Sequence, residues 1–305
     1  MDNLAPIVLF VYNRLWHTRQ TIEALQKNEL ADKSELFIYS DAPNSKAIEF
    51  DVEMVRKYIK SIDGFKKVTI IKRENNFGLA KNITDGVSDI VKRYKKVIVL
   101  EDDLVTSRYF LKFMNNALEF YENEKKVWHV SGWNYPVDKD GLDDVFLWRF
   151  MNCWGWATWV DRWNYFEKDI EKTIKEFKKE DIKRFNLDNS EDFFKQVILN
   201  KEKKIDTWAV FWYVSIFKKD GLCLNPLESF VENIGHDGSG VHCLKNEDYR
   251  VGLSQKDIIN LRVKIEENSL ALEKIKFFFK SKKRTFFTRV INKLFRTLTG
   301  KNIIK

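Results

Sequence analysis

The chain has little of what marks several protein classes. Three cysteines in 305 residues, Cys153, Cys223 and Cys243, are too few and too scattered for a disulfide framework or a metal-binding pair. The opening "MDNLAPIVLF" shows no secretory signal pattern, so a reducing, cytoplasmic setting is expected. With only four prolines and twelve glycines, no linker-rich or fibrous stretch is present. No apolar run reaches the roughly 18 to 20 residues that span a bilayer, and there is no internal repeat.

Charge of one sign is also missing from most of the chain. The net charge is +8, but from Lys274 onward there are eleven Lys and Arg and no acid, leaving 42 bases against 45 acids before that point. A mildly acidic body with a basic end argues against nucleic-acid binding by the body. Aromatics, by contrast, are plentiful: 24 Phe and 10 Trp suggest a concave, ring-lined site.

Apolar runs and helical patterns alternate through the first hundred residues. "PIVLFVYN", "ELFIYSDAP", "KVTIIKRENN" and "KVIVLEDD" predict four strands, separated by amphipathic stretches. This βαβαβαβ order predicts an α/β fold with a mostly parallel sheet flanked by helices. After Asp103, "SRYFLKFMNNALEFYENE" predicts a helix and "VWHVSGWN" a strand, whereas "WRFMNCWGWATWVDRWNYF" is aromatic and poorly periodic. A charged helical region leads to "DTWAVFWYVSIFKKDG", another helix, and then a glycine-containing loop. We expect one domain over residues 1–250, with a nucleotide-binding half to residue 103 and a substrate half after it. Residues 251–305 are expected to form a separate helical, basic tail.

In open parallel sheets, ligands sit beyond the carboxyl ends of the strands. Those ends here carry Asn13 and Arg14, then Asp41, then Asn75 and Asn76, then Glu101, Asp102 and Asp103. Three adjacent acids repel unless a positive charge neutralises them. A hard divalent cation does so through carboxylate oxygens and keeps positions open for phosphate. Acids at the start of the next helix would also be favoured by its dipole; the agreement of four strand ends favours a ligand.

"VIVLEDDLV" resembles the Asp-X-Asp-type motif of GT-A glycosyltransferases, and is most similar to the Glu-Asp-Asp form of the N-acetylglucosaminyltransferase I family. "PIVLFVYNR", "VSGWN" and "CWGWATWVDRW" support the resemblance, as do "DTW" and "NIG…DGSG…H", features of similar bacterial transferases. It covers residues 6 to 245 and implies a GT-A fold that binds a nucleotide-sugar and Mn²⁺ or Mg²⁺. Residue by residue, it implies Arg14 on the nucleotide, Asp41 on the base, and Lys81 near the diphosphate. Asp103 would be on the metal, with Glu101 and Asp102 on sugar or ribose hydroxyls. A UDP-sugar, with N-acetylglucosamine as the family's lead, is the donor so implied.

Sugar transfer also needs a base for the acceptor hydroxyl. Asp206 is the candidate, opening the helix after "KEKK"; an N-cap role there is compatible, and Asp161 competes with it. His242, closing the loop that holds Gly235, Gly238 and Gly240, is expected to complete the metal shell or contact the diphosphate, with His236 second. His17 and His129 are expected to be structural. Trp133, Asn134, Trp154, Trp156 and Trp208 are expected to form an acceptor wall, rings stacking on sugar faces; core packing is the alternative for each ring.

The tail combines Phe277, Phe278, Phe279 and a run of later apolar residues with its eleven bases, a pattern suited to an anionic membrane surface. That would make the protein peripheral at the inner face of the cytoplasmic membrane and suggests a lipid-linked glycan acceptor. Two other functions compete: a sugar nucleotidyltransferase, disfavoured because "FVYNRLWHTRQ" lacks a glycine-rich phosphate loop, and a non-catalytic glycan-binding scaffold.

Overall fold

The computed structural model describes residues 4–238 and 248–282. It begins with β1 (Ile7–Val11), α1 (Leu15–Gln26), β2 (Glu35–Ser40), α2 (Glu49–Ile59), β3 (Lys67–Lys72), α3 (Gly78–Tyr94) and β4 (Lys96–Glu101). The four expected strands and their intervening helices are all present. Parallel pairing in the order β3-β2-β1-β4 sets Val11 beside Ser40, Phe10 beside Glu101 and Ser40 beside Lys72. The residues just beyond these strands therefore share one edge of the sheet.

β1 reads Ile-Val-Leu-Phe-Val and is buried along its whole length, as a central strand covered by helices on both faces must be. Each such aliphatic side chain taken out of water contributes roughly 1.5–3 kcal/mol. α3 lies close over this strand because Gly86 has no side chain: a methyl group there would be 2.8 Å from the Phe10 ring. Alanine at 86 would push the helix off the sheet.

The second half adds β5 (Leu104–Thr106), α4 (Phe110–Phe120), β6 (Val127–Ser131), β7 (Val145–Trp148), β8 (Trp156–Trp159) and α5 (Val160–Trp163). Then follow α6 (Ile170–Glu176), α7 (Lys179–Phe185), α8 (Phe194–Lys201), α9 (Ala209–Lys218), β9 (Leu222–Pro226) and β10 (Val231–Asn233). The main sheet continues β4-β8-β6-β9-β7, with β8 antiparallel to both of its neighbours. β8 comes from the aromatic stretch that shows no clear period, and β7 ends at the first residue of that stretch, Trp148. β5 and β10 pair antiparallel in a small second sheet, Leu104 beside Asn233.

Residues 248–282 lie against this body. Ser254 N–H donates to Ser229 O at 2.7 Å, and Arg149 holds Glu267 with Nε–Oε1 at 2.6 Å. A helix over 269–282 buries Ala271, Leu272, Ile275 and Phe279 and leaves Phe277 exposed. Lys276 pairs with Asp188 at 3.0 Å, and Lys274 pairs with Asp138. Part of the basic, phenylalanine-rich end is thus engaged by the body; the rest of that segment, 283–305, lies outside the described residues. Among the described residues no helix is long and apolar enough to cross a membrane.

Candidate active site

The carboxylates of Asp102 and Asp103 converge on one guanidinium. Arg14, the residue before α1, donates from Nη2 to Asp102 Oδ1 and, at 2.7 Å, to Asp103 Oδ2. Local bonds fix both partners: Thr18 Oγ1 donates to the Arg14 carbonyl at 2.9 Å, and Thr21 Oγ1 donates to the Asp102 carbonyl at 2.8 Å. Glu101, closing β4, completes the acidic edge. Its carboxyl is pushed up to about 8, first by burial and then by the charges of Asp103 and Asp102, with Arg14 opposing. Burial pushes Asp102 up to about 6 despite Arg14, and Asp103 adds to the rise. Burial would lower the Arg14 pKa, but the two aspartates outweigh it, so the guanidinium stays charged.

The loop after β10 covers this edge. Ile234 N–H donates to the Asp103 carbonyl at 2.9 Å, and Gly235 packs so tightly on the Asp103 carboxylate that a methyl group there would collide with Oδ2. Two residues on, Asp237 Oδ2 lies 3.0 Å from His17 Nε2. α1 therefore grips both sides of the site, Arg14 the acids and His17 the loop. The sequence points to Gly235 only as one of the loop glycines and gives no role to Asp237, and it suggests a structural role for His17; the structure places all three at the site. Their signal was only the "NIGHDG" string, because the partners lie in distant segments. His242 lies outside the described residues.

A cation fits here by donor chemistry. The oxygens are hard, they already hold one positive charge between them, and burial together with mutual repulsion raises two of the carboxyls, which a cation would relieve. Among the described residues no three ligating side chains form a group. Mg²⁺ and Mn²⁺ sites commonly take one or two protein carboxylates and complete their shell with water and phosphate.

Asp41 is occupied by the protein itself. Its Oδ1 accepts from Ala42 N–H and Phe77 N–H, each at 2.9 Å, and its Oδ2 accepts from Gly78 N–H at 2.9 Å and Asn76 Nδ2 at 3.2 Å. The carboxylate thus organises the entry to α3 and has little capacity left for a nucleobase. Lys81 is exposed on α3, its ammonium 4.2 Å from the Phe77 ring centroid; no contact joins it to the triplet among the described residues.

The expected aromatic wall divides. Trp133 and Trp154 meet edge to face at 4.5 Å and line a cavity of about 380 Å³. Trp156 and Trp208 are 1% and 3% exposed and stack on each other at 5.1 Å, their faces taken by neighbouring rings. Asn134 spends its side chain on the backbone: Oδ1 accepts from Tyr135 N–H at 2.8 Å, and Nδ2 donates to Leu227 O at 3.3 Å.

Asp206 sits in the loop before α9, mostly exposed and paired with Lys168, while Trp208 occupies the cap position. Asp161 is less available. Burial would raise its pKa, but hydrogen bonds from Lys125 and Arg162 hold it below the usual carboxylate range. His129 is pushed down to about 3 by burial and hydrogen-bonded through both nitrogens, a neutral core residue.

The GNT-I family model matches residues 1–176, more than half of the chain. No curated protein matches. Among solved structures, S. aureus TarS is similar at 14% identity and TM-score 0.31, over 46% of this chain and 24% of that one. The mannosyltransferase PcManGT from Pyrobaculum calidifontis, in complex with GDP-Man and Mn²⁺, is similar at 12% identity and TM-score 0.39, over 71% of each chain. TarS 1–349 gives 8% identity and TM-score 0.40, over 74% of this chain and 59% of that one. The chain therefore spans about a quarter of the full TarS chain and less than two thirds of its fragment. By the family match, this chain belongs to the GNT-I family of glycosyltransferases.

Proposed function

We propose that the protein moves a sugar from a nucleotide diphosphate, a UDP-sugar following the family's lead, to a hydroxyl of a glycan or lipid-linked glycan. The transfer is metal-dependent and inverts the anomeric carbon. It serves the assembly of a bacterial surface polysaccharide or lipopolysaccharide, with the basic tail holding the enzyme at an anionic membrane face. The observation that carries this reading is the convergence of Asp102 and Asp103 on Arg14 beneath the Gly235 loop.

Asp103, with Asp102, would hold Mn²⁺ or Mg²⁺, and His242 is the further ligand proposed. A bound divalent ion supplies Lewis-acid stabilisation of the charge that gathers on the departing diphosphate. Arg14, always protonated, offers a second positive group to the same oxygens. The acceptor oxygen attacks the anomeric carbon as the bond to the diphosphate breaks, and its proton passes to a carboxylate. Asp206 is the base proposed; its carboxylate is mostly exposed and paired with Lys168.

Calorimetric titration with a panel of nucleotide-sugars, with and without Mn²⁺, tests the reading. Binding of one donor that requires the metal and is lost in Asp103→Ala is expected. Metal-independent binding, or binding that survives in Asp103→Ala, would refute it. A product that keeps the donor's anomeric configuration would refute inversion.

A further inference from the structure

We propose that His17 is a positioning residue of the donor site: through Asp237 it sets the loop over 233–238 on Asp103. The assignment rests on the transferase reading for the role of Asp103, but not for the contact itself.

The loop approaches Asp103 closely. Ile234 N–H donates to the Asp103 carbonyl at 2.9 Å, and Gly235 leaves no room for a methyl group beside the carboxylate. Glycine is also the residue with the most backbone freedom, so Gly235 does not hold this placement by itself. The chain on either side of it must. Upstream, β10 pairs with β5, Asn233 beside Leu104, and Asn233 Oδ1 accepts from Gly235 N–H at 2.7 Å. Downstream, the His236 ring packs 5.2 Å from Trp154 and 5.8 Å from Tyr249, and Asp237 meets His17. Gly238 then turns the chain with a φ of +91°. Asp237 thus ties the loop to α1 just before that turn.

The imidazole is the fixed side of the contact. Its side chain is 7% exposed, against 45% for Asp237. A carboxylate accepts, so Nε2 carries the proton and donates, at 3.0 Å. The Trp16 ring stands edge to face on the imidazole at 4.9 Å and holds its plane. Arg14 and His17 are three residues apart, so both lie on one side of the first turn of α1. Thr18 steadies that turn, its N–H and Oγ1 both donating to the Arg14 carbonyl, at 3.0 and 2.9 Å.

These contacts close a ring. Arg14 holds the Asp103 carboxylate, α1 carries His17, His17 holds Asp237, and Gly235 rests on the same carboxylate. One helical turn therefore fixes Asp103 from two directions. A loop that drifts removes one of them and lets the carboxylate rotate. Because Asp237 is half exposed, the pair adds little to global stability. Its effect falls on the loop and on what Asp103 binds.

The metal-free, full-length protein is followed by hydrogen exchange, and Mn²⁺ alone is then titrated by the loss of its free EPR signal. His17→Phe keeps a ring against Trp16 but removes the donor. It should speed exchange at Ile234 at least about fivefold while the β1 amides stay unchanged. It should also weaken Mn²⁺ binding about tenfold, with the melting temperature nearly unchanged. Asp237→Ala, on the exposed side of the contact, should do the same, and the two together should do no more than either alone. His17→Gln, which restores an N–H donor, should recover most of both effects. Exchange at Ile234 unmoved by either substitution, effects that multiply as if independent, or a glutamine variant no better than phenylalanine would overturn the assignment. So would Mn²⁺ bound equally well by the parent and His17→Phe, or faster exchange in β1 with a lowered melting temperature, the mark of a merely structural histidine. A parent that binds no Mn²⁺ counts against the transferase reading; exchange at Ile234, the double substitution and the glutamine rescue then decide on His17 by themselves.

Discussion

Replacing Glu101 with glutamine should make the metal-free protein more stable at alkaline pH. The carboxyl stands near 8 in the folded chain against an ordinary 4.5, raised by burial and by its two acidic neighbours. A folded-state pKa above the unfolded one means that the native protein binds more protons between those values. Stability therefore falls as pH rises through the window, by up to 1.36 kcal/mol per pH unit. The full window sets a ceiling of about 5 kcal/mol, and water reaching a half-buried carboxylate reduces the expected effect to ~2 kcal/mol. Glutamine has the shape of the protonated acid and escapes the penalty. Thermal unfolding in EDTA at pH 5 and pH 8.5 is the assay. The melting temperature of Glu101→Gln should rise relative to the parent by ~4 °C between the two pH values. A gap that stays constant, or a variant less stable at pH 8.5, would refute the argument that the triplet stores unfavourable charge.

The rest of the site gives three further predictions. Arg14→Met leaves Asp102 and Asp103 without their shared partner and should cost about 3 kcal/mol in urea unfolding; a loss below about 0.5 kcal/mol would show that the pair contributes little. Asp41→Asn keeps one acceptor oxygen but sets an amide against an N–H at the entry to α3. It should cost about 1–2 kcal/mol and speed hydrogen exchange at Phe77 and Gly78; unchanged exchange there would contradict the assigned role. Gly235→Ala should displace the loop from Asp103 and lower turnover at least about tenfold with the melting temperature nearly unchanged; full activity would show that the loop's close approach is not needed.

The first half of the fold was legible because each strand is a local apolar run and each helix a local stripe. β1 and β4 needed nothing beyond their own residues to be recognised. β7 and β8 are different. They are four residues each and fully buried, so they show no polar alternation, and their tryptophans pack against rings from other elements. β8 then enters between β4 and β6, an antiparallel placement decided by contacts over 25 or more residues. A short buried strand cannot declare its partners through its own pattern.

The candidate site divides along the same physical line. Asp102 and Asp103 are adjacent in the chain, so their mutual repulsion could be read directly, and with it the need for a positive partner. Asp41 shows an identical carboxylate at an equivalent strand end, yet its oxygens are committed to N–H groups some 36 residues away. Asn134 is the same case, its amide spent on the backbone near Leu227. Hydrogen-bonding capacity is finite, and a polar residue becomes a ligand-binding one only with what the fold leaves over. Glu101 retains that remainder: its carboxylate accepts no hydrogen bond from the described residues, and burial, with the charges of Asp103 and Asp102, holds its pKa up. The same reasoning ranks the tryptophans. Trp156 gives its face to Trp208, while Trp133 borders open volume; both indole N–H groups lack an acceptor among the described residues, so the open volume is what separates the two. What distinguishes a binding residue from a structural twin is therefore the bonding capacity and the space that the fold leaves beside it, a property of the folded neighbourhood that appears only when the distant partners are in place.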